Sequence, residues 1–298
     1  MTNKRLVGLV GKNMSEKSSS HITFILLAPI AIWMVVLLIL PILVVLVYSF
    51  GELAAMGGYR PAFTLAQYAN LPARLTAFKN TLMLAPAGTL AAFLIAYPLA
   101  YYLARTVKPR RRLVLLTLVI VPFWTSFLIR TYAWMFILGG RGIPALLDFI
   151  GIEGVRLLNT PTAVLIGIVY GYLPLMVFPI FVSLEKLDAS LLEASDDLGA
   201  SPLRTFLQVT LPLSLPGIAT ACMVVFILLM GEFLIPALLG GGKVFFIGNA
   251  LVDLFLQSRN WPFGSAVAIT LVLIMLVIVT IYMRLLFRPG RTQEVSMI

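Results

Sequence analysis

Residues 205–231 read TFLQVTLPLSLPGIATACMVVFILLMG, a run of 27 residues without a charged side chain. A helix of about 20 apolar residues crosses the hydrocarbon core of a bilayer, so this run is long enough to span one. Five other runs of at least 24 residues are similar, although Arg130 interrupts one of them: 22–51, 80–104, 113–138, 157–184 and 260–283. The sequence therefore predicts an all-α polytopic membrane protein with six transmembrane helices.

The overall composition agrees with this prediction. Of the 298 residues, 60% are hydrophobic and 11% are charged, whereas soluble domains average about 45–50% apolar and about 25% charged residues. This difference excludes an ordinary soluble globular protein and also a disordered one.

The distribution of positive charge predicts how the helices are oriented. With six spans, residues 1–21, 105–112, 185–211 and 284–298 share one side of the membrane and hold 14 Lys and Arg residues, whereas the opposite segments hold 7. Because loops rich in Lys and Arg remain in the cytoplasm, both termini are expected there. The net charge of +10 is then a topology signal, and we expect no nucleic-acid partner.

The apolar runs divide the chain into one membrane domain with a helix in front of it. We predict a cytoplasmic tail, a first transmembrane helix, a transmembrane domain and a second cytoplasmic tail at residues 1–21, 22–47, 76–283 and 284–298. The spans predicted within the domain are 80–104, 113–138, 157–184, 212–236 and 263–283, with a cytoplasmic loop at 185–211.

Residues suited to catalysis or metal binding are scarce. The only histidine, His21, and the only cysteine, Cys222, are far apart in the sequence, whereas metal sites draw on clusters of such residues. Gly240-Gly-Gly-Lys243 lacks the spacing of a phosphate-binding loop, and Ser265 has no histidine to act as a base. The sequence therefore predicts no catalytic residue, no metal and no cofactor. Prolines within the spans instead favour transport, because broken helices are tolerated beside a cavity.

The predicted loop 185–211 has the pattern of two short helices. Residues 187–198 form an amphipathic pattern that Gly199 ends, and Ser201-Pro202 is suited to begin a second helix. The sequence Glu193-Ala-Ser-x-x-x-Gly199, followed after nine residues by Val209-x-Leu-Pro212, resembles the E-A-A-x-x-x-G-x9-I-x-L-P loop of bacterial ABC importer permeases. Ser195 replaces the second alanine of that pattern, and Val209 replaces the isoleucine.

This resemblance extends from about residue 76 to residue 283. Within the family, the chain is similar to the permeases that import spermidine and putrescine, in the stretches 193–217, 231–241 and 260–265. The resemblance implies the type I importer permease fold in the bacterial inner membrane. It also implies a complex with a second permease subunit (related or identical), two cytoplasmic ATPase subunits that hold ATP and magnesium, and an external solute-binding protein.

The resemblance further implies that the loop docks in a groove of the ATPase. A short helix would present Leu203, Phe206 and Leu207 to the partner as apolar contacts. The residues expected to couple the permease to the ATPase are Glu193, Ala194, Gly199, Leu203, Phe206, Leu207, Leu211 and Pro212.

Two charged residues, Arg130 and Glu232, interrupt the spans. A charge at the bilayer centre costs about 2.5–3.5 kcal/mol on insertion scales, so both should face protein or water. Glu232 is either a cation-attracting wall of the transport cavity or a buried partner of Arg130, and for Arg130 alone the structural role is favoured. The other candidates are Trp124, Tyr170 and Tyr172 for ring contacts to an ammonium, and Asp253 for docking of the binding protein.

The sequence is also compatible with other solutes and with another class of transporter. Permeases for opines, aminophosphonates and other small solutes carry similar segments, so the architecture is better specified than the solute. A self-sufficient secondary transporter is a different class, but it would not need the loop at 185–211 and would often show ionisable relays across several spans.

Overall fold

The computed structural model describes residues 4–286, with side chains from residue 26 onward. The predicted tails at 1–21 and 284–298 lie wholly or largely outside the residues whose side chains are described. The helices are α1 (Lys4–Ser49), α2 (Ala66–Ala69), α3 (Leu75–Tyr101), α4 (Pro109–Ile120), α5 (Phe127–Leu138), α6 (Ile143–Phe149), α7 (Pro161–Glu185), α8 (Ala189–Asp197), α9 (Pro202–Thr205), α10 (Leu211–Met230), α11 (Leu234–Leu239), α12 (Ile247–Val252) and α13 (Trp261–Leu286). A hairpin of β1 (Glu52–Leu53) and β2 (Tyr59–Arg60) follows α1.

Five short segments of wider (π) or tighter (3₁₀) helix adjoin these helices. The π-helical segments are Tyr102–Thr106, Phe206–Thr210 and Asp253–Gln257, and the 3₁₀ segments are Leu71–Arg74 and Val121–Trp124. Two of the π-helical segments connect membrane helices to the loops at the end of the bundle that carries α8 and α9.

Five helical stretches are long and apolar enough to cross a membrane: Leu26–Ser49, Leu71–Thr106, Pro161–Glu185, Pro202–Met230 and Trp261–Leu286. A sixth span is present if the bent pair Pro109–Trp124 and Phe127–Phe149 is counted as one. The predicted all-α polytopic fold is confirmed.

Helices α3, α7 and α10 form the centre of the bundle, and each packs against the other two. The facing side chains on α3 are small, since Ala85, Ala92 and Ala96 are completely buried. Small residues let helix backbones approach closely, which is how membrane helices gain packing energy without a hydrophobic driving force. Helix α13 packs on α10, and α1 packs on α13 at the periphery.

The span predicted at 113–138 is not one straight helix. The chain bends by 91° between Trp124 and Phe127, because Thr125 has an extended backbone and Ser126, with φ of −55° and ψ of 131°, is also non-helical. The Thr125 hydroxyl donates to the carbonyl oxygen of Pro122 at 2.7 Å, which satisfies one backbone group that the bend exposes.

The span predicted at 212–236 also differs from the structure. Helix α10 ends at Met230, and a short helix, α11, begins at Leu234 after a break at Gly231, Glu232 and Phe233. The apolar pattern continues through this break, so hydropathy alone does not reveal it.

Candidate functional site

The break between α10 and α11 places a carboxylate inside the bundle. Glu232 is 7% exposed. Its Oε1 atom accepts hydrogen bonds from the backbone N–H groups of Leu234 at 2.8 Å and Ile235 at 3.1 Å, while Oε2 accepts one from the Tyr172 hydroxyl on α7. Interrupted helices in a membrane must find partners for their freed backbone groups. Glu232 provides them, and its side chain also ties α11 to α7.

Side chains from other helices hold the break and the segment after it. The Asn249 amide donates to the carbonyl of Phe233 at 2.7 Å and accepts from the N–H of Phe246 at 3.1 Å. From α3, the Thr81 hydroxyl accepts the N–H of Ile247 at 2.9 Å. The irregular backbone at residues 231–249 is therefore fixed by hydrogen bonds rather than left open.

A groove of about 390 Å³ lies beside Glu232. Its lining includes Glu232 and four aromatic side chains, which are Phe123, Phe127, Tyr172 and Phe233. Phe127 and Tyr172 meet edge to face, with ring centroids 6.1 Å apart. An acid among aromatic rings is suited to an organic cation, because the carboxylate offsets lost hydration and ring faces attract positive charge.

Arg130 does not pair with Glu232, so the interpretation of these two residues as a buried brace is wrong. Arg130 is 8% exposed and lies 5.0 Å from the ring centroid of Phe123, measured from the guanidinium carbon. The same atom is 5.4 Å from the Phe127 ring and 6.0 Å from the Tyr170 ring. In the part of the chain that the structure describes, the ion pairs within 4.0 Å are Arg74–Asp253 and Arg112–Glu185. The bend at Pro122 brings Phe123 to Arg130, and rings replace the expected carboxylate.

The other predicted pathway residues have different positions. Tyr172 lines the groove, whereas Tyr170 packs on Arg130 and on Trp134, whose ring centroid is 5.4 Å away. Trp124 is 79% exposed and does not line the groove. Its neighbour Phe123 does, a contact that the sequence analysis did not identify because the direction of the bend is not encoded in hydropathy.

Asp253, predicted to contact the binding protein, is already paired. Its Oδ2 atom accepts a hydrogen bond from Arg74 at 2.7 Å, and both side chains are about one-third exposed or less. Pairs of this kind contribute about 0–1 kcal/mol. The role of Asp253 in docking of the binding protein stays a prediction.

A ridge of small residues on α7 receives α11. A Cβ atom added at Gly167 would lie 2.5 Å from Leu239 and 3.0 Å from Ile235, both on α11, and one added at Gly171 would lie 3.1 Å from Phe127. Ala163 on the same face is completely buried. The ridge therefore determines how closely α11 and α5 approach α7, and with them the walls of the groove.

At the other end of α10, the two short helices predicted in the loop are present. Asp188 caps α8 through the Ser190 N–H at 3.0 Å, and this backbone hydrogen bond lowers the pKa of the Asp188 carboxyl from its ordinary value. Gly199 has a φ of +74°, a left-handed conformation that ends α8. Ser201 caps α9 through the Arg204 N–H at 3.4 Å.

Ser195, which departs from the family pattern, connects the two short helices. Its hydroxyl lies 2.8 Å from the Thr205 hydroxyl, and Thr205 is 8% exposed. The hydroxyl pair joins α8 to α9 across the glycine between them, so the substitution of serine for alanine has a structural partner.

The predicted coupling residues divide between the surface and the interior. Leu203 and Leu207 are 68% and 51% exposed, and Glu193, Ala194, Gly199 and Pro212 are also exposed. Phe206 instead points inward, with its ring centroid 5.8 Å from Tyr97 and 6.0 Å from Tyr101, and Leu211 packs against the core. Phe206 is half-buried beside these rings, and its contact with a partner stays a prediction. Leu198, which the sequence analysis did not single out, is 88% exposed, and we call Leu198, Leu203 and Leu207 the leucine surface.

Two arginines of the preceding loop connect it to this segment. Arg112 donates to the carboxylate of Glu185 at 2.9 Å and to the carbonyl of Ala104 at 2.8 Å. Arg105 donates to the carbonyl of Leu187 at 3.0 Å. The end of α7, where α8 begins, is thereby fastened to the end of α3.

Helix α10 connects the leucine surface to Glu232. The π-helical segment that follows α9 leads directly into α10, whose 20 residues end one position before Gly231. A helix of that length extends about 30 Å. A single helix therefore joins the segment that carries α9 to the break that holds the carboxylate.

Comparisons with known proteins agree with this architecture. Residues 96–291 match the family described as the inner membrane component of binding-protein-dependent transport systems. The chain is 41% identical over 257 residues to the spermidine/putrescine transport system permease protein PotB of Haemophilus influenzae, a match that covers 85% of this chain and 90% of the relative.

Two solved structures share the fold. One is a bacterial ABC transporter involved in the import of the acidic polysaccharide alginate, with a TM-score of 0.74 and 19% identity over 94% of this chain and 99% of that chain. The other is a bacterial alginate ABC transporter in complex with an alginate pentasaccharide-bound periplasmic protein, with a TM-score of 0.72 and 18% identity over 91% and 96% of the chains. At these identities the likeness concerns the fold alone.

Proposed function

The chain belongs to the family of inner membrane components of binding-protein-dependent transport systems, and from this membership we propose that it is the permease subunit that passes spermidine or putrescine into the cytoplasm of its cell. It is a multi-pass protein of the inner membrane and a transport component. We propose in addition which solute it carries, that a binding protein delivers this solute, and that an ATPase supplies the energy.

The position of α10 is the main structural support for this function. One end of this helix continues from the leucine surface, and the other ends beside Glu232 in an acidic, aromatic groove. A partner that moves α8 and α9 therefore changes the shape of the groove. This is the connection that alternating access requires between an energy source and a solute path.

The chemistry of the groove supports a cationic solute. A polyamine carries several ammonium groups along an apolar chain, and the groove offers one carboxylate and four rings. Carboxylate and ring faces both favour ammonium over a neutral or anionic group. The 41% identity to a permease whose name specifies spermidine and putrescine supports the same solute.

The partners follow from the same membership. In the proposal, residues 185–211 face the cytoplasm and the leucine surface docks on one of two ATPase subunits, which hold ATP and magnesium. A second permease subunit completes the solute path, and an external binding protein delivers the polyamine. The chain itself performs no catalysis in this scheme.

Uptake by cells tests the solute. The chain is expressed with its partner subunits in a bacterium that lacks its own polyamine importers, and the entry of radiolabelled spermidine and putrescine is measured. We expect uptake that an excess of unlabelled polyamine abolishes and that an opine or an aminophosphonate leaves unchanged. Inhibition by either of those solutes, with no effect of polyamine, would assign the importer to another substrate.

A further inference from the structure

Arg130 and the groove share two aromatic walls. The guanidinium carbon of Arg130 lies 5.0 Å and 5.4 Å from the ring centroids of Phe123 and Phe127, and both rings also line the groove beside Glu232. Rings attract a cation within about 6 Å of their centroids. Arg130 therefore places a positive charge against the rings that a cation in the groove would use.

The charge of Arg130 has little other compensation. No carboxylate of the described residues lies within 4.0 Å of it, and its buried Nε atom has no hydrogen-bond partner. A buried charge is normally paired or fully hydrogen-bonded, since it has lost its hydration. The aromatic rings are thus the principal groups that stabilise this guanidinium.

The space beside Arg130 does not suit an anionic ligand. The cavity that Arg130 lines with Thr131, Trp134 and Tyr170 measures about 10 Å³, which is close to the minimum for a single water molecule. A carboxylate or phosphate group does not fit there. The unpaired guanidinium is therefore not explained as a site for an acidic part of the solute.

We propose that Arg130 is a resident cation that competes with the transported polyamine for the aromatic walls of the groove. Two positive charges beside the same rings repel each other, and this repulsion is strong where water is scarce. Arg130 thus lowers the affinity of the groove and shortens the stay of each polyamine. Transport benefits, because a solute must leave the membrane site as readily as it enters. This inference rests on the proposed function, since it takes the solute to be a polyamine.

Substitutions at Arg130 and Tyr170 test the competition. The complete transporter is prepared in lipid nanodiscs without the binding protein, and the Kd for radiolabelled spermidine is measured by equilibrium dialysis. Arg130→Met removes the charge and should lower Kd about tenfold, which corresponds to about 1.4 kcal/mol. Arg130→Lys keeps the charge and should leave Kd near the wild-type value. Arg141→Gln, which removes an exposed arginine, is the control for net charge.

Tyr170 provides a second test that leaves the groove intact. Its ring lies 6.0 Å from the guanidinium carbon but does not line the groove. Tyr170→Leu keeps the charge of Arg130 but removes the ring that Arg130 does not share with the groove, so the guanidinium should depend more on Phe123 and Phe127. Spermidine should then bind about threefold more weakly, as expected for the loss of one cation–π contact. Tyr170→Phe keeps the ring and should bind as the wild type does. This variant decides the question if Arg130→Met does not assemble with its partners.

In uptake measurements, Arg130→Met should lower kcat as well as KM, because the solute leaves the groove more slowly. An unchanged or raised Kd for Arg130→Met, or an unchanged or lowered Kd for Tyr170→Leu, in a complex whose wild type imports spermidine, would overturn the inference and leave the proposed function standing. A wild-type complex that neither binds nor imports polyamines would overturn both.

Discussion

The carboxylate of Glu232 accepts three hydrogen bonds while it lines the groove. Two of these bonds come from the backbone of α11 and one comes from Tyr172. The side chain that stabilises the break is therefore also the one that is proposed to attract the solute. A substitution that keeps an acceptor oxygen but removes the charge separates the two roles.

Glu232→Gln is expected to impair transport more than stability. The amide oxygen can still accept from Leu234 and Ile235, so the free energy of unfolding should fall by about 1 kcal/mol, the difference between hydrogen bonds to charged and neutral groups. Loss of the charge should raise the KM for spermidine at least about tenfold. Tyr172→Phe is the matched control, since it removes a hydrogen bond but keeps the carboxylate. Uptake kinetics and thermal unfolding of the purified complex give both quantities, and a wild-type KM in the glutamine variant would refute the cation-binding role.

Gly199 acts through its backbone alone. Its φ is +74°, and no atom lies within 4 Å of the position that a Cβ would take. A left-handed conformation costs most residues about 1–2 kcal/mol, whereas asparagine tolerates it. Gly199→Val should therefore reduce ATP-dependent uptake while the transmembrane bundle stays folded, and Gly199→Asn should transport nearly as the wild type does. Equal uptake in the two variants would show that this backbone angle is not required for coupling.

Helices α8 and α9, with the segments that follow them, carry apolar side chains of two kinds: some are exposed and others pack against the bundle. Leu203→Ser and Leu198→Ser change exposed residues, so they should weaken co-purification of the ATPase without lowering the unfolding temperature. Phe206→Ala removes a ring that packs on Tyr97 and Tyr101 and should destabilise the permease itself by about 1–3 kcal/mol, less than a fully buried phenylalanine would. Full retention of the ATPase by both serine variants would contradict the assignment of the leucine surface.

The ridge on α7 allows a test of how α11 is seated. Gly167→Ala places a methyl group against Leu239 and Ile235, and overpacking of this kind costs about 1–3 kcal/mol. We expect lower thermal stability and slower uptake, because α11 carries one end of the groove. Gly140→Ala is the control, since no atom would meet its Cβ within 4 Å. A Gly167→Ala variant as stable as the control would mean that α11 shifts without strain.

Local signals predicted much of the element structure. Gly199 and Ser201-Pro202 correctly mark the end of α8 and the start of α9, since a left-handed glycine and a serine cap act within a few residues. The direction of Phe206 was not predictable in this way. Residues 206–210 form a π-helical segment, which rotates the side chains away from the positions that an α-helix would give them.

Contacts between distant segments were the least predictable part of the site. Tyr172 and Glu232 are 60 residues apart and meet only because α11 packs on the α7 ridge. Arg130 and Glu232 are the two intramembrane charges, and pairing them was reasonable from the sequence. The bend after Trp124 instead places the rings of Phe123 and Phe127 beside Arg130. This contact depends on the three-dimensional packing, so a count of charged residues cannot predict it.

At the scale of the whole molecule, the fold connects two ends of the bundle through one helix. The leucine surface lies at the start of α10, and the arginine contacts to Glu185 and Leu187 fasten this region to α3. The acidic groove lies at the far end of α10. We therefore expect ATP hydrolysis on a partner and solute movement in the groove to depend on each other.

Transport by the reconstituted complex tests whether solute movement depends on ATP hydrolysis. The chain, its second permease and its ATPase are placed in proteoliposomes with ATP enclosed and binding protein outside, and the entry of radiolabelled spermidine is followed. We expect accumulation that requires ATP, magnesium and the binding protein together, and that stops when the ATPase cannot hydrolyse ATP. Spermidine uptake that continues without ATP or without the ATPase would contradict it, because the chain would then transport on its own.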